Sequence, residues 1–278
     1  METQEKAFIE EVARRDSKGI VKGLEDDGCV LIPNLVDKSK VAEMKNEIDQ
    51  LIHHEHDNNA INKTNDHFKC VFNRSPYWLQ FIDMDGIIDG IEELMGHDCH
   101  IIGMSAWRSP PGIGRKYFHI DQLMMPMDSE LLLNGHIKLP VYYSTLHFYL
   151  SDIDEDLCPT YIVPGSHKSG RAPGHELEKN SETGFLGGDE DSWNGVKARP
   201  LLVNAGDGLL FRSEVWHGGS KNNTTDRTRY LLQVHYGRRG VAQRFPPYLE
   251  FQYNKDVLDQ ATDRQLRLLG KHPIGAYG

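Results

Sequence analysis

The chain has 278 residues, 38% hydrophobic and 26% charged, a size and mix that suit one large globular domain spanning 1–278 better than two small ones. Forty-one acidic residues against 31 basic ones leave a net charge of −10, which argues against nucleic acid or an anionic membrane surface as partner, since both select basic patches. No stretch approaches the roughly 18 consecutive apolar residues of a membrane span, and the opening METQEKAFIEEVARRDSKGI is charged throughout, without a signal-peptide core, so a cytoplasmic protein is expected.

The first part of the chain, 1–97, reads as helix-rich. Phe8, Ile9, Val12, Ile20, Val21 and Leu24 recur at helical spacing over Glu5 to Leu24. Gly28 ends that pattern, and Cys29 to Pro33 is a short strand-like run. Asp37 is placed to cap a helix from Lys38 to His53, with Val41, Met44, Ile48 and Leu51 on one face. A third amphipathic helix is predicted over Asp83 to Met95.

From 98 to 240 the texture changes. Short apolar or alternating runs (Ile101–Trp107, Tyr117–Ile120, Val141–Leu150, Tyr161–Val163, Ala198–Val203, Gly208–Arg212 and Arg229–Tyr236) are separated by Gly, Pro, Asn and Asp. Many short strands with turn signals between them predict a closed or double-layered antiparallel sheet, mainly β with helices outside. The polar stretch 170–196 is long enough to be a lid loop. Leu258 to Leu269 returns to helical spacing. Cys29, Cys70, Cys99 and Cys158 lie far apart without a CxxC pair and are expected as reduced, buried thiols. The Asn-x-Thr triplets at Asn222 and Asn223 read as a turn.

Fourteen histidines make metal ligation worth weighing. HExxH and finger-type cysteine–histidine spacings are absent, which leaves the two-histidine, one-carboxylate set of non-heme iron. Two places offer His-x-Asp/Glu: His53 with Glu55, and His119 with Asp121. In a strand, residues i and i+2 share a face and can reach one ion. In a helix they lie about 200° apart and cannot. His53 and Glu55 end a predicted helix and run into a polar tail, so a solvated surface is expected there. His119 and Asp121 lie in the strand-like Tyr117-Phe-His-Ile-Asp. His217, at the apparent end of the strand that follows Leu209, is the available third ligand.

A dicarboxylate co-substrate such as 2-oxoglutarate needs a buried cation and a hydroxyl for its far end. Arg229 begins an apolar strand, Tyr230-Leu-Leu-Gln-Val-His-Tyr236, and a guanidinium there would need an anion to offset its burial. Ser220, shortly after His217, offers the hydroxyl. Arg227 has the same strand parity but sits beside Thr-Thr-Asp, so the choice between the two arginines stays open. Trp107, Arg108, Tyr117, Met124, Met125, Met127, Tyr142 and Tyr143 flank the ligand strands as pocket lining or as plain core. Trp107, Arg108 and Tyr143 are the candidates for substrate contact, while Arg108, Arg115 and Lys116 are either anion contacts or solvated surface.

These residues resemble the phytanoyl-CoA dioxygenase family in its broad sense. Asp156-Leu-Cys-Pro-Thr-Tyr-Ile-Val-Pro-Gly-Ser-His167 looks like the family's Asn-Gly-Pro-Thr…Pro-Gly-Ser-His stretch, with Leu157-Cys158 where Asn-Gly is usual. Gly206-Asp-Gly-Leu-Leu-Phe…Trp-His217 looks like its distal-histidine strand, and His217-Gly-Gly-Ser220 followed by Arg229 is similar to its co-substrate motif. The resemblance implies a double-stranded β-helix (jelly-roll), cupin-like core. It also implies iron(II) on His119, Asp121 and His217, and 2-oxoglutarate on Arg229 and Ser220 with Gln122 and His147 nearby. Dioxygen would be the second co-substrate, the substrate a small molecule oxidised at a C–H bond, and His167 a structural hydrogen-bonder. Asp121 argues against halogenation, because family halogenases carry Gly or Ala there. The rival readings are a non-catalytic jelly-roll binding protein and a cupin-type metal-dependent hydrolase or isomerase. The sequence does not fix the oligomeric state.

Overall fold

The structure, a computed structural model, describes residues 8–57, 66–114, 118–174 and 192–274. Asp16 starts the first helix: its carboxylate accepts from the Gly19 backbone N–H, and α1 runs Ser17–Asp26 with Ile20 and Leu24 buried. The helix therefore does not reach back towards Glu5. The Val12 N–H donates instead to the Leu31 carbonyl and the Leu31 N–H to Glu10, so this segment pairs with β1 (Cys29–Ile32) rather than coiling. Asp37 caps α2 (Lys38–Asp49) by accepting from the Lys40 N–H. The third helix, α3 (Ile87–Met95), is preceded by a 3-10 segment, Pro76–Phe81. The predicted C-terminal helix is broken in two, α5 (Lys255–Gln260) and α6 (Asp263–Leu268), because Ala261 is extended and Thr262 recaps the chain. A short α4 spans Ser129–Leu133.

The remaining strands are β2 (Asp66–Lys69), β3 (His100–Ser109), β4 (Tyr143–Tyr149), β5 (Thr160–Val163), β6 (Ser192–Trp193), β7 (Val196–Lys197), β8 (Arg199–Leu201), β9 (Gly208–Arg212), β10 (Trp216–Gly219) and β11 (Arg229–Gly237). They form a six-stranded antiparallel sheet in the order β1-β9-β4-β11-β3-β2 and a smaller one in the order β10-β5-β8, with β6 and β7 as a separate hairpin. The two main sheets enclose the jelly-roll predicted from the sequence. The expected strand at Tyr117–Ile120 is reduced, within the described residues, to a bridge between His119 and His217.

Period-two alternation sorts each strand of the large sheet into two faces. On β11, Leu232, Val234 and Tyr236 join Leu146 and Phe148 of β4 and Leu210 of β9 in the core shared with the helices, which also holds Ile20, Leu24, Ile88 and Trp78. The opposite face carries Leu231, Tyr149, Leu209 and Phe211, which meet Ile162 and Leu201 of the small sheet. The same inner face bears Arg229, Gln233 and His235, opposite Ser109, His147 and Thr145. An interior row this polar is costly unless it is satisfied or functional.

Two smaller expectations concern turns. His167 is buried and hydrogen-bonds the Glu25 carbonyl at 3.3 Å. It packs so closely under Gly28 (φ +76°) that a Cβ there would lie 2.5 Å from its Nδ1. Asn222 is wholly buried, and its amide donates to the carbonyls of Ser109 and Arg227, so the Asn-x-Thr segment is a turn. All four cysteines are free and buried.

Candidate metal centre

Backbone pairing brings the three candidate ligands together. The His119 N–H donates to the His217 carbonyl at 2.8 Å and the reverse bond is 2.9 Å, so the Phe118–Asp121 segment lies along β10. The Asp121 N–H donates to the Ser213 carbonyl at 2.9 Å. With the segment extended, His119 and Asp121 project to one side, as the i, i+2 spacing requires. One ligand atom from each of His119, Asp121 and His217 falls within 4.8 Å of the others, the only such cluster among the described residues. His119 Nε2 is 3.8 Å and His217 Nε2 3.6 Å from the same oxygen, Asp121 Oδ1.

The protonation pattern fits a metal. His217 Nδ1 lies 2.9 Å from the Val215 carbonyl, an acceptor only, so Nδ1 carries a proton and Nε2 is the nitrogen left to face Asp121 and an ion. The other carboxylate oxygen, Asp121 Oδ2, accepts from Thr145 Oγ1 at 2.9 Å, which turns Oδ1 to the imidazoles. Burial pushes the Asp121 carboxyl up, but the positive potentials of His217, His235 and His119 and the Thr145 hydrogen bond outweigh it and hold it below the usual range. Two imidazoles and one ionised carboxylate on one side of an ion are the donor set of non-heme iron(II).

Behind Asp121 stands an outer layer that local sequence features do not mark. The single Thr145 hydroxyl hydrogen is given to Asp121, so the Thr145 oxygen must accept from His235 Nδ1, 3.0 Å away, where Tyr143 Oη also lies at 3.0 Å. Outer partners of this kind fix ligand orientation, and losing one weakens metal binding roughly 10–100-fold. Thr145→Val, nearly isosteric, is expected to lower iron(II) or cobalt(II) affinity within that range, while Thr145→Ser holds it near wild type. A chelator-competition titration reads this. Equal affinities for Val and wild type would show that Thr145 does not orient Asp121.

The predicted anion anchor lies on the inner face of β11. Arg229 is 8% exposed, stacks over the Tyr149 ring and donates from Nη2 to Thr160 Oγ1 at 3.3 Å. Its Nε has no hydrogen-bond partner, and among the described residues it has no carboxylate partner. Tyr149 Oη also donates to Thr160 Oγ1, at 3.0 Å. Thr160 thus accepts twice, and its own O–H remains to donate. Ser220, the hydroxyl selected from the sequence, is buried and donates to the Pro159 carbonyl at 2.9 Å. Arg227 is exposed and forms a two-pronged pair with Asp154 at 2.6 and 3.1 Å, which leaves Arg229 as the arginine inside the barrel.

The other candidates separate by strand parity. Trp107 faces inward, stacks on His67 with centroids 3.6 Å apart and donates from Nε1 to Gln233 Oε1 at 2.7 Å. Arg108 faces the opposite side of β3, paired with Asp66 at 2.7 Å and Asp49 at 2.8 Å, and is not brought to the triad. Tyr143 is buried beside His235 under Arg244. Gln122 is held by Arg244 through its side-chain oxygen and by the Ser213 hydroxyl through its carbonyl. Met124 packs with the cluster of Ile102, Tyr143 and Val241, whereas Met125 is exposed. His53 is bound to Asp66 at 2.8 Å and Glu55 is exposed, and among the described residues the two join no cluster that could hold an ion. Arg115, Lys116, Tyr117 and most of the 170–196 segment lie outside the described residues. Period two is the signal that would have found Thr145, Tyr149, Gln233 and His235: with His147 and Arg229 inside, alternate residues of β4 and β11 must be inside too.

Among the described residues no helix is long and apolar enough to cross a membrane. Residues 24–230 match the family model for phytanoyl-CoA dioxygenase. The chain is 23% identical over 223 residues to the multifunctional dioxygenase prhA of Penicillium brasilianum, covering 76% of this chain and 69% of that one. HygX from Streptomyces hygroscopicus, solved with nickel and 2-oxoglutarate, superposes with a TM-score of 0.60 at 16% identity, over 79% of this chain and 86% of that one. HygX has also been solved with hygromycin B bound. The α-ketoglutarate-dependent epimerase SnoN from nogalamycin biosynthesis gives a TM-score of 0.58 at 18% identity, over 80% and 83%. At these identities the structural likenesses establish the fold.

Proposed function

The chain belongs to the phytanoyl-CoA dioxygenase family, and we propose that, as an iron(II)- and 2-oxoglutarate-dependent dioxygenase, it hydroxylates or otherwise oxidises an unactivated C–H bond of a small-molecule metabolite. The observation that carries the proposal is Arg229. A metal-binding barrel with no co-substrate has no use for a buried guanidinium that, among the described residues, lacks a carboxylate partner and has an unsatisfied Nε. A dicarboxylate spanning from the metal ligands to Arg229 gives that cation its anion.

His119, Asp121 and His217 would hold iron, with Asp121 as the anionic ligand and Thr145 fixing its orientation. Iron(II) with 2-oxoglutarate and dioxygen supplies the oxidising power for C–H attack, releasing succinate and carbon dioxide. Arg229 binds the far carboxylate, assisted by the Thr160 hydroxyl. Ser220 shapes the same wall through its bond to Pro159. Phe211, packed against both His147 and His217, keeps water from that side of the site. Trp107 and Tyr143, inside the barrel, are the residues left to meet the substrate, with Gln122 nearer the co-substrate. The small-molecule ligand of HygX supports a substrate of that class.

The test is anaerobic. Iron(II) and 2-oxoglutarate added to the purified protein are expected to give a weak visible charge-transfer band, and admitting oxygen should release succinate. No band in wild type would mean that 2-oxoglutarate does not chelate iron here, and the non-catalytic reading would take its place.

A further inference from the structure

Across the inner face of the large sheet, Ser105 of β3, Gln233 of β11 and His147 of β4 stand directly opposite one another. Gln233 Oε1 lies 2.7 Å from Trp107 Nε1 and 3.0 Å from Ser105 Oγ. An indole nitrogen can only donate, so the Gln233 atom facing it must be the oxygen, and the amide cannot be flipped. The amide NH2 is therefore the group 2.8 Å from His147 Nε2. An NH2 can only donate, so His147 Nε2 must accept and carries no proton. A neutral imidazole with a bare Nε2 has its hydrogen on Nδ1. His147 is buried, and that Nδ1 has no hydrogen-bond partner among the described residues.

From this we propose that Gln233, itself fixed by Trp107 and Ser105, locks His147 in the Nδ1–H tautomer so that His147 donates a neutral hydrogen bond to an oxygen of bound 2-oxoglutarate. This rests on the reading of the site as a 2-oxoglutarate site. The place fits. His147 and His217 pack on the same Phe211 ring, with centroids 5.0 and 4.6 Å away, and Arg229 is near enough for its charge to bear on the His147 ring. Burial first, then the charges of Arg229 and His217, keep His147 well below the usual histidine range, in agreement with a neutral ring. Gln233 and Trp107 are then positioning residues that act through His147. Trp107, a substrate-contact candidate on sequence grounds, has its indole N–H committed to this relay.

The lock is read directly by nitrogen-15 NMR of histidine-labelled, metal-free protein, with the His147 signals identified by their loss in His147→Asn. Wild type should show a pyrrole-type Nδ1 and a pyridine-type Nε2, and the Nδ1–H signal should move when 2-oxoglutarate is added to nickel-loaded protein. In Gln233→Glu the carboxylate can only accept, so the tautomer should reverse and turn a bare Nδ1 towards the co-substrate. Calorimetry with nickel-loaded protein should then show 2-oxoglutarate binding weakened about tenfold or more, with nickel affinity unchanged. Gln233→Leu frees the ring to adopt either tautomer and should fall between. A wild-type proton on Nε2, an Nδ1–H signal unmoved by 2-oxoglutarate, or undiminished binding in Gln233→Glu would each overturn the proposal while wild type still binds the co-substrate. Wild type that binds no 2-oxoglutarate would instead overturn the functional reading, and the ligand half of this proposal with it.

Discussion

Asp121→Asn is expected to eliminate iron binding at micromolar metal and, with it, succinate release. The substitution preserves shape but removes the only anionic ligand, leaving two neutral imidazoles to hold a dication. It also changes the chemistry of the oxygen that faces them: an asparagine can present its NH2 there, a donor directed at the metal position. Removing an outer partner such as Thr145 weakens binding roughly 10–100-fold, and removing the ligand it supports should exceed that. The fold should survive, because Asp121 is tied to the protein by its backbone N–H to Ser213 and by one hydroxyl. Iron or cobalt titration with a competing chelator, beside a thermal melt, separates the two effects. An Asp121→Asn protein that binds iron and turns over within about tenfold of wild type, inside the outer-partner range, would remove Asp121 from the ligand set.

That Asp121 could be singled out at all reflects how local its signature is. Its partner His119 is two residues away, and strand geometry alone decides that the two share a face. His217 was legible because an apolar run ends on it, and Arg229 because a charge opens a run that must be buried. For Thr145, Gln233 and His235 the only local mark is strand parity, which places them inside without giving them a role. Their partners come from non-local register: Gln233 opposite His147, and His235 opposite Thr145. The same limit explains Arg108, adjacent to Trp107 and therefore on the opposite face, where Asp49 and Asp66 hold it. Helix boundaries failed for local reasons. The Phe8–Val12 apolar spacing suits a helix, but the backbone of Glu10 and Val12 is taken by β1. The apolar spacing of Leu258 to Leu269 runs through Thr262, whose capping bond starts a new helix. Strand texture, by contrast, was enough for a closed or double-layered antiparallel sheet with helices outside, because the turn residues between short apolar runs are a local signal, while the jelly-roll itself came from the family resemblance.

Arg229→Leu is expected to move two observables in opposite directions. Two charge-assisted hydrogen bonds to a carboxylate contribute about 3 kcal/mol together at the low end of their usual range. At 1.36 kcal/mol per tenfold, 2-oxoglutarate binding should therefore weaken roughly 100-fold, with iron affinity intact because none of the three ligands touches Arg229. The ligand-free protein should be no less stable than wild type and is expected to gain up to a few kcal/mol, of the order found when buried charges are replaced by apolar residues of similar volume. Among the described residues the guanidinium it loses meets Thr160 and the Tyr149 face, with Nε unsatisfied. Wild type should recover stability when metal and 2-oxoglutarate are added, by about 2.7 kcal/mol at a hundred times the dissociation constant, and Arg229→Leu should not. Denaturant melts with and without ligand measure both signs. A variant that is destabilised by several kcal/mol without ligand, yet binds 2-oxoglutarate as wild type does, would make Arg229 a structural residue whose anion is not the co-substrate. Arg229→Lys keeps the charge but loses the fork, and it should lie between the two in co-substrate affinity, because a point charge cannot engage both carboxylate oxygens in the same fixed geometry.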